Sequence, residues 1–256
     1  MAAKRYEIDD HQWEQIKELF PRAKTGRPGK DNRDMFNAIL WIARSGAAWR
    51  DLPERYGPWK TVYSRFCKWR DDGSLETIFY ALNVEIDDEN LMIDSTSVKA
   101  HQHSAGAKKG AVNAESNQHI GVSRGGHTTK IHTVVDGLGN PIYFQLSAGS
   151  VHDSKVATEV LSHVPLEQGC VVGDKAYGTK EIRDFITSHQ ATYIIPPKSN
   201  TVHPWACDWW VYKERHLVEC FFNKLKHFRR IATRYDKLAS SFLAFVYVAS
   251  IFVLSK

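Results

Sequence analysis

Between residues 9 and 73 the apolar positions recur at helical spacing. Trp13, Ile16, Leu19 and Phe20 fall on one side of a segment that Asp9 or Asp10 can cap and Pro21 follows. Asp31 opens a second helix with Met35, Phe36, Ile39, Leu40 and Ile42 facing a core, ended by Ser45-Gly46. Pro58 begins a third, with Val62, Tyr63, Phe66 and Trp69 inward, Lys60, Ser64 and Lys68 opposite, and a stop near Gly73. RAKTGRPGK, between the first two helices, reads as a basic loop. The pattern is helix-turn-helix-like with a long connection, although a plain helical bundle with a solvated basic face would read the same way.

From residue 90 the period changes. LMIDSTSV is strand-like, and AHQHSAGAKKGAVNAESNQHIGVSRGG is a long polar connection, expected to be mobile or to order only on DNA. HTTKIHTVVD alternates, DGLGN supplies a turn and PIYFQLSAG returns, which predicts a hairpin. Asp153 in VHDS is read as the cap of a helix through about Ser162, with a histidine–aspartate pair as the competing reading. CVVGD gives a strand, Thr179–Ser188 a helix and ATYIIPP a last strand, followed by a long helix from about Tyr212 to Arg230. Three strands in a meander, then β-α-β and a final helix, is the order of a ribonuclease-H-like α/β fold with a mixed five-stranded sheet. The expected division is a helical domain over residues 1–85 and an α/β domain over 86–256.

Charge sharpens this division. The 256 residues carry a net charge of +5, but twelve Lys/Arg against four Asp/Glu lie in residues 20–70, and seven against two in 212–234. The remainder is net acidic, so the basic residues form two patches suited to a polyanion. Four scattered cysteines without a C-x2-C pair suggest neither a zinc ribbon nor a disulfide framework, and imply a reducing, cytoplasmic setting. His216 and Cys220 are spaced as half a zinc site, but no second pair follows. No secretory leader is expected. Residues 238–255 hold eighteen positions without a formal charge. That is the lower limit for a membrane span, but the serines, alanines and aromatics fit a core helix against the catalytic sheet, and no membrane partner is expected.

The candidate chemistry lies in three carboxylates. Asp94 in LMIDST and Asp174 in CVVGDKAYG each end an apolar run, and Glu219 lies in the expected long helix. Oxygen ligands of this kind suit hard Mg²⁺, and two ions about 3.5–4 Å apart can stabilise both attacking and leaving oxygens in phosphoryl transfer. Arg215, Glu219 and Lys226 fall at steps of four and seven residues on one helical face. Asp136 in TVVD is better explained as a hairpin-turn residue. GVSRG, Gly121–Gly125, matches the nucleophile elbow G-x-S-x-G, which requires a strand-to-helix turn where this chain predicts a loop and a strand. His101 and His103 stay open to a DNA contact or a supporting role.

Tyr212, Arg215, Glu219 and Lys226 form Y-x2-R-x3-E-x6-K, with MIDST, SRGGHTTKIH and GDKAYG upstream and LWIARSGAAWRDLPERYGPWKTVYSRFCKWRDDG near the N-terminus. In these motifs the chain resembles the DDE transposases of bacterial insertion sequences, in the insertion-sequence-five group, over roughly residues 6 to 250. The resemblance implies a DNA transposase that binds terminal inverted repeats, cleaves the ends and joins the 3′-hydroxyl to target DNA. It also implies DNA-end binding by the helical domain, residues 1–85, and catalysis by the α/β domain, residues 86–256. It implies two Mg²⁺, with Mn²⁺ as substitute, on Asp94, Asp174 and Glu219, and at least a dimer on double-stranded DNA in the bacterial nucleoid. DNA contacts are expected from Lys60, Arg65, Lys68, Arg124, His127, Lys130, Tyr212, Arg215, Lys226, Arg229, Arg230 and Arg234. Only 44 residues separate Asp174 from Glu219, too few for the insertion domain of some relatives. A structure-selective or domesticated nuclease of the same fold, and a non-catalytic DNA-binding repressor, are the rival readings.

Overall fold

A computed structural model describes residues 6–21, 29–83, 86–105 and 118–255. Most of the RAKTGRPGK loop and the middle of the long polar connection lie outside them. In chain order the helices and strands are α1 (Asp10–Ile16), α2 (Asn32–Ser45), α3 (Trp59–Asp71), α4 (Ser74–Leu82), β1 (Asn90–Ala100), β2 (Gly121–Ser123), β3 (Gly126–Val135) and β4 (Pro141–Ala148). There follow α5 (Ala157–Leu161), β5 (Cys170–Val172), α6 (Lys180–Ser188), β6 (Thr192–Ile194), α7 (His216–Lys226), α8 (Arg229–Ala232), β7 (Thr233–Arg234) and α9 (Ala239–Leu254). The described residues fall into two compact units: those of segments 1–84, 101–116 and 224–256, and those of 85–100 and 117–223.

The first unit is helical. Asp9 caps α1 in a reciprocal box with Gln12, and Asp31 caps α2 by accepting from the amides of Arg33 and Asp34. Gly46 ends α2 at φ 70°, a left-handed position that other residues adopt only under strain. Phe20 packs on Phe36 and Trp69, with centroids 5.5 and 4.9 Å away. Phe66 and Trp49 meet Phe245 of α9 at 4.6 and 5.9 Å. The uncharged C-terminal run thus forms a core helix, and α2, α3, α4 and α8 are its partners within this unit. Burial on nearly every side explains its lack of an amphipathic stripe. Its polar groups are satisfied locally: Tyr247 donates to Glu76 at 2.9 Å, Ser250 donates to the Val246 carbonyl at 2.9 Å, and Ser241 accepts from Arg70 at 2.6 Å. Among the described residues no helix is long and apolar enough to cross a membrane. The placement of this helix in the helical unit departs from the expected packing on the catalytic sheet.

The second unit is built on a sheet. β1 runs antiparallel to β3 and parallel to β5, β5 runs parallel to β6, and β2 and β4 share the outer edge of β3. Without the short β2 and the two-residue β7, the order is β4-β3-β1-β5-β6: a meander, then two parallel strands added through α5 and α6. That is the ribonuclease-H-like order. Leu91, Ile93, Val134 and Val171 of the sheet bury against Val160 and Leu161 of α5 and Ile182 and Ile186 of α6. Asp94, Thr133 and Phe144 lie in register on three strands and so share the other face, where Phe144 meets Phe221 of α7 at 5.8 Å. The sheet is therefore covered by helices on both sides, as its apolar strands require.

The long helix expected over Tyr212–Arg230 is interrupted. Residues 211–215 form a 3-10 turn whose start is capped by Asp208, which accepts from the amides of Trp210 and Val211 at 2.8 and 3.2 Å. Phe228 takes an extended conformation between α7 and α8, because its ring turns into the helical core beneath Arg44, 3.9 Å from the ring centroid.

Candidate active site

Asp94 and Asp174 reach the same end of the sheet for a simple reason. Met92 pairs with Val172 across the parallel β1–β5 ladder, and each aspartate stands two residues further along its own chain. Two residues restore the side-chain direction, so the register sets the two carboxylates side by side. Asp174 accepts from the Ala176 amide at 2.7 Å, a local turn that holds it at the strand end. Asp94 accepts from the Ser95 amide at 2.7 Å. Burial is the main reason the Asp94 carboxyl is pushed up to about 6; repulsion from Asp174 and Asp153 acts the same way, against its amide bond and the Arg215 charge.

Glu219 comes from the first turn of α7. Arg215, at the end of the preceding 3-10 turn, joins it to the strand: one guanidinium nitrogen donates to Asp94 Oδ2 at 2.7 Å and the other pairs with Glu219. Burial works against the guanidinium charge, yet Asp94 and Glu219 hold its pKa above the ordinary value. Tyr212 lies on the same turn, half-buried, its hydroxyl pushed up mainly by burial. Among the described residues no three His, Cys, Asp or Glu side chains already converge as a metal cage. The donors nonetheless fit a hard divalent cation. All are carboxylate oxygens, and a half-buried Asp94 crowded by like charge beside a single arginine is an environment that a dication would relieve.

Not every basic residue expected to meet DNA is free to do so. Arg230 is 6% exposed, forms a two-pronged pair with Asp236 at 2.8 and 3.1 Å and donates to the Ala47 carbonyl at 3.0 Å. Arg234 is fully buried, donates to the Asp236 and Lys237 carbonyls, and burial lowers its pKa to about 10. Both hold the C-terminal segment into the helical core, and a phosphate cannot reach them. The charge run masked this, since its arginines look alike in sequence. Lys130 is also turned inward, donating to the Val151 carbonyl at 2.8 Å and to Asp153 at 2.9 Å. Asp153 itself does not cap a helix: His152 accepts the Ser154 amide, while the Asp153 carboxylate binds Lys130 and Ser95.

The others are accessible or half-buried. Lys60 and Lys68 are exposed on α3 and, with Thr61, Ser64 and half-buried Arg65, line one groove. Arg124 is exposed in the tight turn between β2 and β3, and His127 is exposed just after it. Because this segment is strand–turn–strand, GVSRG is not a nucleophile elbow. Asp136 is the hairpin-turn residue, accepting from the amides of Leu138 and Asn140 at 3.0 and 2.7 Å. Lys226 and Arg229 are exposed. Sequence reasoning passed over Trp209 and Trp210, 61% and 77% exposed, where Trp209 meets the Tyr212 ring at 5.5 Å. The doubled tryptophan beside the basic motif was the available signal.

Strand order and acidic side chains together are those of a ribonuclease-H-like catalytic domain. Residues 8–79 match the family model described as a putative transposase of the IS4/5 family, and residues 86–203 and 171–254 match two models of the transposase DDE domain. The chain is 42% identical over 123 residues, 48% of its length and 94% of the relative's, to the putative transposase for insertion sequence element IS6501 of Brucella ovis. It is 46% identical over 104 residues, 40% of its length and 83% of the relative's, to protein y4sN of Sinorhizobium fredii. The chain belongs to the DDE transposases of bacterial insertion sequences. It is thus a DNA transposase, an enzyme of metal-dependent DNA cleavage and transfer. Among solved structures it is similar to the piggyBac transposase in a synaptic complex with hairpin DNA, at 11% identity and a TM-score of 0.42, covering 75% of this chain and about half (47%) of that one. A pre-cleavage Mos1 transpososome matches at 11% identity and a TM-score of 0.30, covering 95% of this chain and 84% of that one.

Proposed function

We propose that the chain binds the terminal inverted repeats of its element, cleaves the DNA ends and joins the freed 3′-hydroxyl to target DNA. The observation that carries this reading is that Asp94 and Asp174 each stand two residues beyond the paired Met92 and Val172 of the parallel β1–β5 ladder, with Arg215 linking Asp94 to Glu219. Asp94, Asp174 and Glu219 would hold two divalent ions, Mg²⁺ or in its place Mn²⁺. Such ions, when bound, activate the attacking oxygen and stabilise the leaving one. Arg215, which holds Asp94 and Glu219 in this structure, would be free to turn toward a phosphate beside the site when those carboxylates hold ions, and its planar fork fits two phosphate oxygens. Tyr212 backs Arg215; exposed Arg124 and His127 in the sheet unit, and exposed Lys226 and Arg229 in the helical unit, are each suited to backbone phosphates.

End recognition falls to the N-terminal helices, residues 1–85, through Lys60, Arg65 and Lys68 on α3, and chemistry falls to residues 86–256. Joining two ends requires at least a dimer on double-stranded DNA, acting on the nucleoid in the bacterial cytoplasm. The test is a strand-transfer assay: labelled inverted-repeat DNA, a supercoiled target plasmid and Mg²⁺. Labelled ends joined to plasmid support the reading. End cleavage without joining assigns the chain to a nuclease of the same fold.

A further inference from the structure

Asp94 lies two residues beyond the last β1–β5 pair, Met92 with Val172, and pairs with Thr133 of β3, so the ladders place its backbone. Its carboxylate is held by a further chain of hydrogen bonds. The Ser95 amide donates to Asp94 Oδ1 at 2.7 Å, and the Ser95 hydroxyl donates to Asp153 Oδ1 at 2.8 Å. The same oxygen of Asp153 accepts from Lys130 Nζ at 2.9 Å, and Lys130 also donates to the Val151 carbonyl at 2.8 Å. Ser95 pairs with His132 and Ser97 with Lys130, so alternation puts Ser95, His132 and Lys130 on the face opposite the Asp94 side chain. Asp153 thus supports Asp94 from behind.

This support is built in. Lys130 and Asp153 are only 15% and 24% exposed, so their pair is shielded from solvent. The loop that carries Asp153 lies tight on β3: the Gly149 amide donates to the Thr128 carbonyl at 3.0 Å, and a Cβ at Gly149 would collide with the Thr128 side chain. His132, 1% exposed with Nδ1 4.0 Å from the same Asp153 oxygen, is held neutral mainly by burial, which leaves Lys130 as the cation of the cluster. A hydroxyl donating to an ionised acceptor makes a short, strong bond, which tethers Ser95 through its side chain and limits the movement of the amide it presents to Asp94.

We propose that Asp153, anchored by Lys130, is a positioning residue that holds the Asp94 carboxylate in place through Ser95. The proposal rests on the reading of Asp94 as a carboxylate of the active site. Groups behind metal-holding side chains cost 10–100-fold in metal affinity or activity when removed, a range on the order of what is expected here. A structural ion pair with no such role would affect stability alone.

The experiment uses the full chain and four variants: Ser95→Ala, Ser95→Thr, Asp153→Ala and, as reference, Asp94→Asn. Mn²⁺ binding is titrated by electron paramagnetic resonance without DNA, and single-turnover cleavage of end DNA is followed separately with its half-saturating concentration. Ser95→Ala and Asp153→Ala are expected to weaken Mn²⁺ binding and slow cleavage by roughly 10–100-fold, with half-saturation unchanged. Ser95→Thr keeps the hydroxyl and restores both. Ser95→Ala leaves the Lys130–Asp153 pair intact, so it reports on positioning even where Asp153→Ala fails to fold. Wild-type Mn²⁺ affinity and cleavage in Ser95→Ala, with both lost in Asp94→Asn, overturn the proposal alone. Wild-type behaviour of Asp94→Asn overturns it together with the reading of the site.

Discussion

Arg215 donates to Asp94 Oδ2 at 2.7 Å, tying the turn before α7 to the strand β1. Its second nitrogen holds Glu219, so one cation spans two of the carboxylates proposed to hold metals. On DNA with divalent ions present, the guanidinium is expected to exchange these partners for a phosphate. Arg215→Gln should then reduce the salt slope of log K for end DNA by about 0.9, the share of one phosphate contact. Single-turnover cleavage at saturating DNA should fall on the order of a hundredfold, as expected when a scissile group shifts by about 1 Å. An unchanged salt slope together with a wild-type rate contradicts this role.

Arg230 should behave in the opposite way. Its pair with Asp236 is buried, with side chains 7% and 8% exposed. Truncating one partner leaves an uncompensated buried charge, so Arg230→Met should cost roughly 3–5 kcal/mol of stability in chemical denaturation. The salt slope of DNA binding, measured under conditions where the variant stays folded, should not change. A lower slope with wild-type stability would return Arg230 to the DNA surface.

Stability should also depend on pH through His132. Burial is the main cause that lowers its pKa to about 4, with Lys130 acting the same way and Asp153 opposing. Below the unfolded value near 6.5 the unfolded chain takes up a proton that the native histidine refuses, so native stability falls as pH drops from about 6.5 to 4. The contribution lost is on the order of 3 kcal/mol. Denaturant titrations across that window should show the decline in the wild type and a shallower one in His132→Asn. Equal slopes in the two proteins contradict it.

Much of the fold was legible because local signals agreed with tertiary demand. Asp9, Asp31 and Thr179 cap the helices they precede, and DGLGN makes the turn where Asp136 takes two amides. Asp94 and Asp174 stood out because each ends an apolar run that becomes a central strand. What stayed hidden depends on partners far apart in sequence. Arg230 and Arg234 carry the same charge as Arg229, and only Asp236 and the surrounding core separate them. Asp153 could be read as a cap because its neighbour His152 does the capping. Its true partners, Ser95 and Lys130, lie 58 and 23 residues away. Likewise, helical spacing through residues 212–230 gave no hint that Phe228 would leave the helix for the core.

The central claim is that Asp94, Asp174 and Glu219 act as one metal-holding set. The most direct measurement is Mg²⁺-dependent cleavage of inverted-repeat DNA by Asp94→Ala, Asp174→Ala and Glu219→Ala, each at a protein concentration that saturates the ends. The expected result is no cleaved product from any of the three, with end binding in Ca²⁺ within about twofold of wild type, because these carboxylates hold ions and do not read DNA. Metal-dependent product at the wild-type rate from any one of them removes that residue from the site and contradicts the claim.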